Sequence, residues 1–365
     1  MKKRIVVSLL LTGVLQVIGS AATPVRKSSR SATVRKRKPA PPPVDPTLGD
    51  NVDGDDLVIR RAAVAALGSV NGSVVVVDPN TGRISTIVNQ KLALKSGFTP
   101  CSTIKLVTSL AALSEHVVDR DDWIYLGRYT RYNMTTALAK SNNQYFSTLG
   151  GRLGFERVTK YAQMMGLGEK ATLDMEEEQA GWITPEPPKF GGVGLMTSFG
   201  EGFAVTPLEL AALVSAIANG GTLYYLQYPR TQAEIDQFTP KVKRSLDISV
   251  NGISDIRPGM RAAVDFGTAR RAADVPEDPV FGKTGTCTDF RASSHMGWFA
   301  SFNEVGSHQL VVVVMLTGGR DVSGPVAAGV AGSIYRSLSG LSYFAAAERP
   351  GRDLPEIITN TPSVR

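Results

Sequence analysis

The strand-forming stretches of this chain stand at its two ends, and that placement constrains the fold more than any other feature. Residues 73–77, Ser73 followed by four valines, and residues 84–88 flank the turn sequence Asp78-Pro79-Asn80-Thr81-Gly82, so they read as a hairpin. Strand signals return only at 280–286, 296–302 and 309–316. Between them the apolar spacing is helical. In 102–116 the positions Ile104, Val107, Leu110, Ala111 and Leu113 recur along one face. Residues 135–140, 144–153, 155–165 and 207–218 also fit, the last with Thr206 as N-cap, Pro207 in the first turn and Asn219-Gly220-Gly221 closing it. Further helices are predicted at 57–67 and about 325–338. An early hairpin has to find its partners among the late strands, which predicts an α+β fold with a mostly antiparallel sheet. No repeat of fixed period is present, which excludes a solenoid or a propeller.

Of the 365 residues, 42% are apolar and 20% charged, enough to build a sizeable core. The net charge of +7 is misleading. The first 43 residues hold ten Lys/Arg and no Asp/Glu, leaving 30 basic against 33 acidic residues in the body. A body at −3 lacks the basic face that phosphate contacts require, so no nucleic-acid partner is expected. Two cysteines exclude a disulfide-rich scaffold and a four-cysteine zinc site. His116, His295 and His308 show no metal spacing, and neither metal nor cofactor is expected.

Lys2, Lys3 and Arg4 precede an apolar run at 5–18 and then Gly19, Ser20, Ala21 and Ala22, the order of a secretory signal. The run is short for a span of about 20 residues. Residues 1–22 therefore read as a signal peptide or an N-terminal membrane anchor, and the body is expected in the periplasm or on the outer face of the inner membrane. Residues 23–56 form a basic, Pro-rich linker, 57–342 a catalytic domain and 343–365 a tail.

Three patterns carry chemistry. Ser102-Thr103-Ile104-Lys105 opens a helix after Pro100, placing a hydroxyl and an amine three residues apart on one face. A lysine held neutral by burial can take the serine proton. Ser141-Asn142-Asn143 lies between two predicted helices, where a second hydroxyl can pass a proton and an amide can hold a carbonyl. Lys283-Thr284-Gly285-Thr286 lies in a strand, with Gly285 admitting a close backbone and its neighbours offering charge and hydroxyls to a carboxylate. Gly282-Lys283-Thr284 ends like a phosphate loop, but the glycine that loop needs five residues earlier is Glu277. Singly, each signal is weak, and a helix cap, a loop or a solvated strand lysine is the plainer reading.

In this order the three patterns resemble the penicillin-binding proteins and serine β-lactamases, and most of all a D,D-transpeptidase, over about 71–338. The hairpin at 72–82, the helix Val205-Thr206-Pro207-Leu208-Glu209-Leu210-Ala211 and the strand Gly297-Trp298-Phe299 extend the likeness. The resemblance implies an antiparallel five-stranded sheet flanked by helices, an all-helical subdomain and an active site between them. It implies Ser102 as acylated nucleophile, Lys105 as its base, Ser141 as proton relay and Asn143 as substrate ligand. Lys283, Thr284, Gly285 and Thr286 would bind the substrate's carboxylate end, and the backbone N–H groups of Ser102 and Thr286 would form the oxyanion hole. Peptidoglycan stem peptides and covalent β-lactam antibiotics are the implied ligands.

The resemblance also places Cys101 beside Cys287, which implies a disulfide, with Thr284 and Thr286 facing the ligand and Cys287 the opposite side; two buried free thiols are the alternative. The chain departs from the family in three ways. About 56 residues precede the first predicted helix, leaving no room for a glycosyltransferase module. The step from Ser102 to Ser141 is short and closer to class D β-lactamases, as is the context Thr99-Pro100-Cys101. Gly200-Glu201-Gly202 stands where many transpeptidases have Gly-Gln-Gly. Class A-like or class D-like β-lactamase, D,D-carboxypeptidase and β-lactam sensor remain alternatives. The water-activating segments of the class A and class D enzymes are absent from the sequence.

Overall fold

A computed structural model describes residues 45–345, apart from positions 96, 174, 249, 273–277, 290–293, 305–307 and 320. The leader expected at 1–22, most of the linker and the tail from 346 onward lie outside the described residues.

The hairpin does join the late strands. Strands β1 (Gly72–Val77), β2 (Ile84–Val88), β3 (Val280–Asp289), β4 (Ser294–Asn303) and β5 (Val311–Gly318) form one antiparallel sheet in the order β2-β1-β5-β4-β3. β1 pairs with β5 along its whole length, Val74 opposite Val314 and Val77 opposite Val311. Among the described residues, β3, which carries Lys283 to Thr286, pairs only with β4 and leaves its other edge free.

The longer helices are α1 (Leu57–Leu67), α2 (Lys105–Ser114), α3 (Met134–Lys140), α4 (Asn143–Leu153), α5 (Phe155–Met164), α6 (Gly192–Phe199), α7 (Pro207–Ala218), α8 (Val250–Asp265) and α9 (Gly324–Gly340). Helices cover both faces of the sheet, which explains why β1 is buried at every position instead of alternating. Val75, Val77, Val311 and Val313 pack with the helical middle, α7 included. Val74, Val76, Val312 and Val314 pack with Ile59 of α1 and Ile334 of α9. Each fully buried valine contributes roughly 1.5–3 kcal/mol. On the helical side, every residue of α2 from Lys105 to Leu113 is buried.

Two differences from the sequence reading matter for the site. The predicted helix at 102–116 begins as a 3₁₀ turn, Cys101–Ile104, and becomes α-helical only at Lys105. Helices α6 and α8 were not anticipated. α6 carries Gly192 and Gly194, and α8 has Pro258 in its interior, residues that weaken a helical signal.

Candidate active site

The approach to Ser102 is pinned on several sides. Phe98 N–H donates to Val205 O at 2.9 Å and Val205 N–H to Phe98 O at 2.7 Å. The Trp298 Nε1–H donates to Thr99 O at 3.0 Å. Cys101 is disulfide-bonded to Cys287 of β3, with Cα atoms 5.6 Å apart. Cys101 has φ of 52°, a left-handed conformation that costs a non-glycine residue about 1–2 kcal/mol. These ties over-determine the conformation and turn the chain sharply into the 3₁₀ turn. Residues i and i+3 eclipse in a 3₁₀ helix, more closely than in an α-helix. Lys105 Nζ accordingly lies 2.6 Å from Ser102 Oγ.

The same amine lies 2.7 Å from Asn143 Oδ1 and 3.2 Å from Ser141 Oγ, and the Phe146 and Phe199 rings stand 5.6 and 6.0 Å from it. Lys105 has no solvent exposure. Burial first, and then the charge of Lys283, pushes its ammonium down to about 6, so the amine is mostly neutral at pH 7. A neutral amine has a lone pair for the Ser102 hydroxyl proton while its N–H groups serve the Asn143 and Ser141 oxygens.

Ser141 ends α3 in the left-handed conformation, φ 53°, and Asn142 caps α4 by accepting the Tyr145 N–H at 2.8 Å. Ser141 and Asn143 are thus presented at the junction of two helices, as the sequence reading placed them. Lys283 reaches this junction from the sheet. Its Nζ donates to Ser141 Oγ at 2.8 Å and to Thr284 O at 3.0 Å. It is fully buried, which pushes it down to about 7 and excludes a solvated strand lysine.

Gly285 fits where no side chain could, because a Cβ there would lie 2.9 Å from Pro100 O and 3.2 Å from Cys101 Cβ. Strand alternation puts Cys287 on one side of β3, toward Cys101, and Thr284 and Thr286 on the other. Lys283, Gly285 and Cys287 face the Ser102 side, toward Ser141, Pro100 and Cys101. Thr284 and Thr286 share the other side of the strand. Thr284 Oγ1 lies 2.6 Å from Thr268 Oγ1, and Thr286 Oγ1 accepts the Gly324 N–H at 2.8 Å. The reason is the two-residue period itself: Cys287 can reach Cys101 only if the threonines turn away. Thr284 O, bound by Lys283 Nζ, lies on the free edge of β3, and the same period puts the Thr286 N–H on that edge. Ser102, in the first turn of its helix, has an N–H with no intrahelical partner.

Sequence reasoning did not single out Phe146, Phe199 or Thr268. The phenylalanines are indistinguishable from core residues by pattern, and Thr268 follows the unanticipated α8. Among the described residues, no group of three or more His, Cys, Asp or Glu side chains is placed to hold a metal, and no helix is long and apolar enough to cross a membrane.

Comparison with known proteins agrees with this geometry. Residues 72–336 match the family described as the penicillin binding protein transpeptidase domain. Stage V sporulation protein D of Bacillus subtilis is 31% identical over 282 residues, covering 69% of this chain and 43% of that protein. Peptidoglycan D,D-transpeptidase FtsI of Escherichia coli is 24% identical, covering 76% and 53%. The chain thus spans about half the length of these curated relatives. The transpeptidase domain of Burkholderia pseudomallei penicillin-binding protein 3 shares the fold with a TM-score of 0.69 at 21% identity, covering 82% of this chain and 98% of that domain. The matched stretch holds all three motifs and all five strands, and the chain belongs to the penicillin-binding protein transpeptidase domain family.

Proposed function

We propose that this chain is a D,D-transpeptidase that cross-links peptidoglycan stem peptides through an acyl-enzyme on Ser102, with its catalytic domain at 57–342. The observation that carries the reading is the buried Lys105 amine, 2.6 Å from Ser102 Oγ and depressed to about 6. Ser102 Oγ attacks the carbonyl between the two terminal D-alanines as its proton passes to Lys105 Nζ. The Ser102 and Thr286 N–H groups receive the oxyanion; losing one such donor typically costs on the order of 10²–10³ in rate. Ser141, in contact with both lysines, relays the proton to the leaving amine, the C–N bond breaks and D-alanine departs. An amine of a second stem then attacks the ester carbonyl; the new peptide C–N bond forms, the acyl C–Oγ bond breaks, and the proton lost by the amine passes to Ser102 Oγ.

Asn143 gives its Oδ1 to Lys105 and keeps its amide N–H groups for the donor's backbone carbonyl. Lys283, Thr284 and Thr286 grip the terminal carboxylate across the free edge of β3, as they would the carboxylate of a β-lactam. The basic, apolar N-terminus exports the body and anchors it, or is cleaved, at the outer face of the inner membrane.

Mass spectrometry of the chain mixed with a penicillin, followed over time, tests this reading. A stable adduct on Ser102 is expected. Rapid loss of the adduct with accumulation of hydrolysed drug would make the chain a β-lactamase.

A further inference from the structure

Beyond α8 the chain makes a tight turn, Phe266-Gly267-Thr268, that lies against the end of α3. Thr268 N–H donates to Ala139 O at 3.1 Å, and Lys140 Nζ donates to Phe266 O at 3.3 Å. A Cβ on Gly267 would come within 2.2 Å of Ala139 O, so backbone meets backbone there. The turn is therefore clamped to the two residues immediately before Ser141. On its other side, Thr268 Oγ1 lies 2.6 Å from Thr284 Oγ1 on β3.

We propose that Thr268 is a positioning residue for the carboxylate end of the acyl donor, holding the Thr284 hydroxyl so that it donates its proton to the carboxylate. Thr286 shows the logic. Its oxygen accepts from the Gly324 N–H, a group that cannot accept in return, so the Thr286 proton is turned toward another acceptor. Among the described residues, no backbone N–H serves Thr284 in this way. A hydroxyl can point its proton either way, and once an anion binds to Thr284, the arrangement in which Thr268 donates to Thr284 and Thr284 to the anion polarises both bonds in one direction. Clamping Thr268 to Ala139 also fixes this donor relative to Ser141, so the carboxylate grip and the proton relay keep their spacing.

The proposal rests on the reading that Thr284 binds the donor carboxylate, and the test separates the two. Second-order acylation rate constants are measured on the full chain with a penicillin and with its methyl ester, for wild type, Thr268→Val and Thr268→Ser, together with thermal midpoints. Thr268→Val should slow acylation by the free acid roughly three- to tenfold, the range for one hydrogen bond, while barely changing the ester. Thr268→Ser should restore the wild-type preference for the acid. If Thr268→Val does not fold, Thr268→Ala carries the same expectation. Equal losses with acid and ester, or an unchanged preference, overturn the role of Thr268 alone. A wild-type chain that does not prefer the acid overturns the carboxylate reading, and this proposal with it.

Discussion

Lys105 and Lys283 converge on one oxygen, their Nζ atoms lying 3.2 and 2.8 Å from Ser141 Oγ. Two ammonium groups that share a hydroxyl repel each other, and each lysine, having no solvent exposure, also loses hydration. Burial pushes both down, and Lys105, which further feels the charge of Lys283, falls lower, to about 6 against about 7. Near neutrality Lys105 therefore gives up its proton first. Lys105 is thus the better placed of the two to act as a base, and Lys283 the better placed to act as a cation, although both started as the same residue type.

That division predicts a bell-shaped pH profile for acylation by a β-lactam. The neutral form of Lys105 is the active one, so the second-order rate constant rises as pH passes about 6. The charged form of Lys283 is the active one, so the constant falls above about 7. In the saturated complex the bound carboxylate favours charged Lys283, and the alkaline limb of the limiting rate moves to higher pH. Stopped-flow acylation from pH 5 to 9 measures both limbs, and a flat second-order profile would overturn the assignment.

Substitution at the two ends of the 2.6 Å contact should separate nucleophile from base. Ser102→Ala should abolish covalent labelling by a fluorescent penicillin and leave the thermal midpoint nearly unchanged; persistent labelling would place the nucleophile elsewhere. Lys105→Arg retains a long cationic side chain but cannot release its proton near neutral pH. It should acylate about 10²–10⁴ more slowly, the usual contribution of a positioned base. An acylation rate within a factor of a few of wild type would remove Lys105 from that role.

The motifs were legible in the sequence only as an ordered trio, because each alone also fits a helix cap, a loop or a solvated strand lysine. The sheet was legible because Val74 to Val77 and the late strands need one another to bury two faces. The pairing of Cys101 with Cys287 was legible only through the family resemblance. It is a contact between positions 186 residues apart, which no local pattern records. Thr268 was hidden for a related reason, since Pro258 masks the helix that delivers it. Nor does a local pattern reveal the 3₁₀ start at Cys101–Ile104, which follows from how Phe98 and Thr99 are tied to Val205 and Trp298.

The Cys101–Cys287 bond closes a loop of 186 residues. In the chain-entropy picture, a loop that long stabilises the fold by up to about 5 kcal/mol, with measured gains often smaller. The Cys101→Ala/Cys287→Ala double variant should therefore lose a few kcal/mol in chemical denaturation. It should also acylate more slowly, because one tie holding the left-handed Cys101 conformation is gone. The bond is tested directly by counting reactive thiols in denaturant without reductant. Two thiols in chain purified from an oxidising compartment would rule it out.

Gly285→Ala probes the spacing between β3 and the Ser102 turn without removing any chemical group. The new methyl would sit 2.9 Å from Pro100 O and 3.2 Å from both Cys101 Cβ and Trp298 Cβ. None of these can swing aside: Pro100 O is backbone, Cys101 is tethered to β3, and Trp298 is held by its bond to Thr99 O. The strand and the turn must separate, at an overpacking cost of about 1–3 kcal/mol. That movement draws the Thr286 N–H away from the Ser102 N–H, and a displacement near 1 Å at reacting groups costs about 10²-fold in rate. The variant should thus remain folded, with a lowered thermal midpoint, and acylate on the order of 10² more slowly. Because Ser102, Lys105 and Lys283 are all still present, such a loss can only come from geometry. Wild-type acylation in folded Gly285→Ala would show that the Thr286 edge is not where the oxyanion forms.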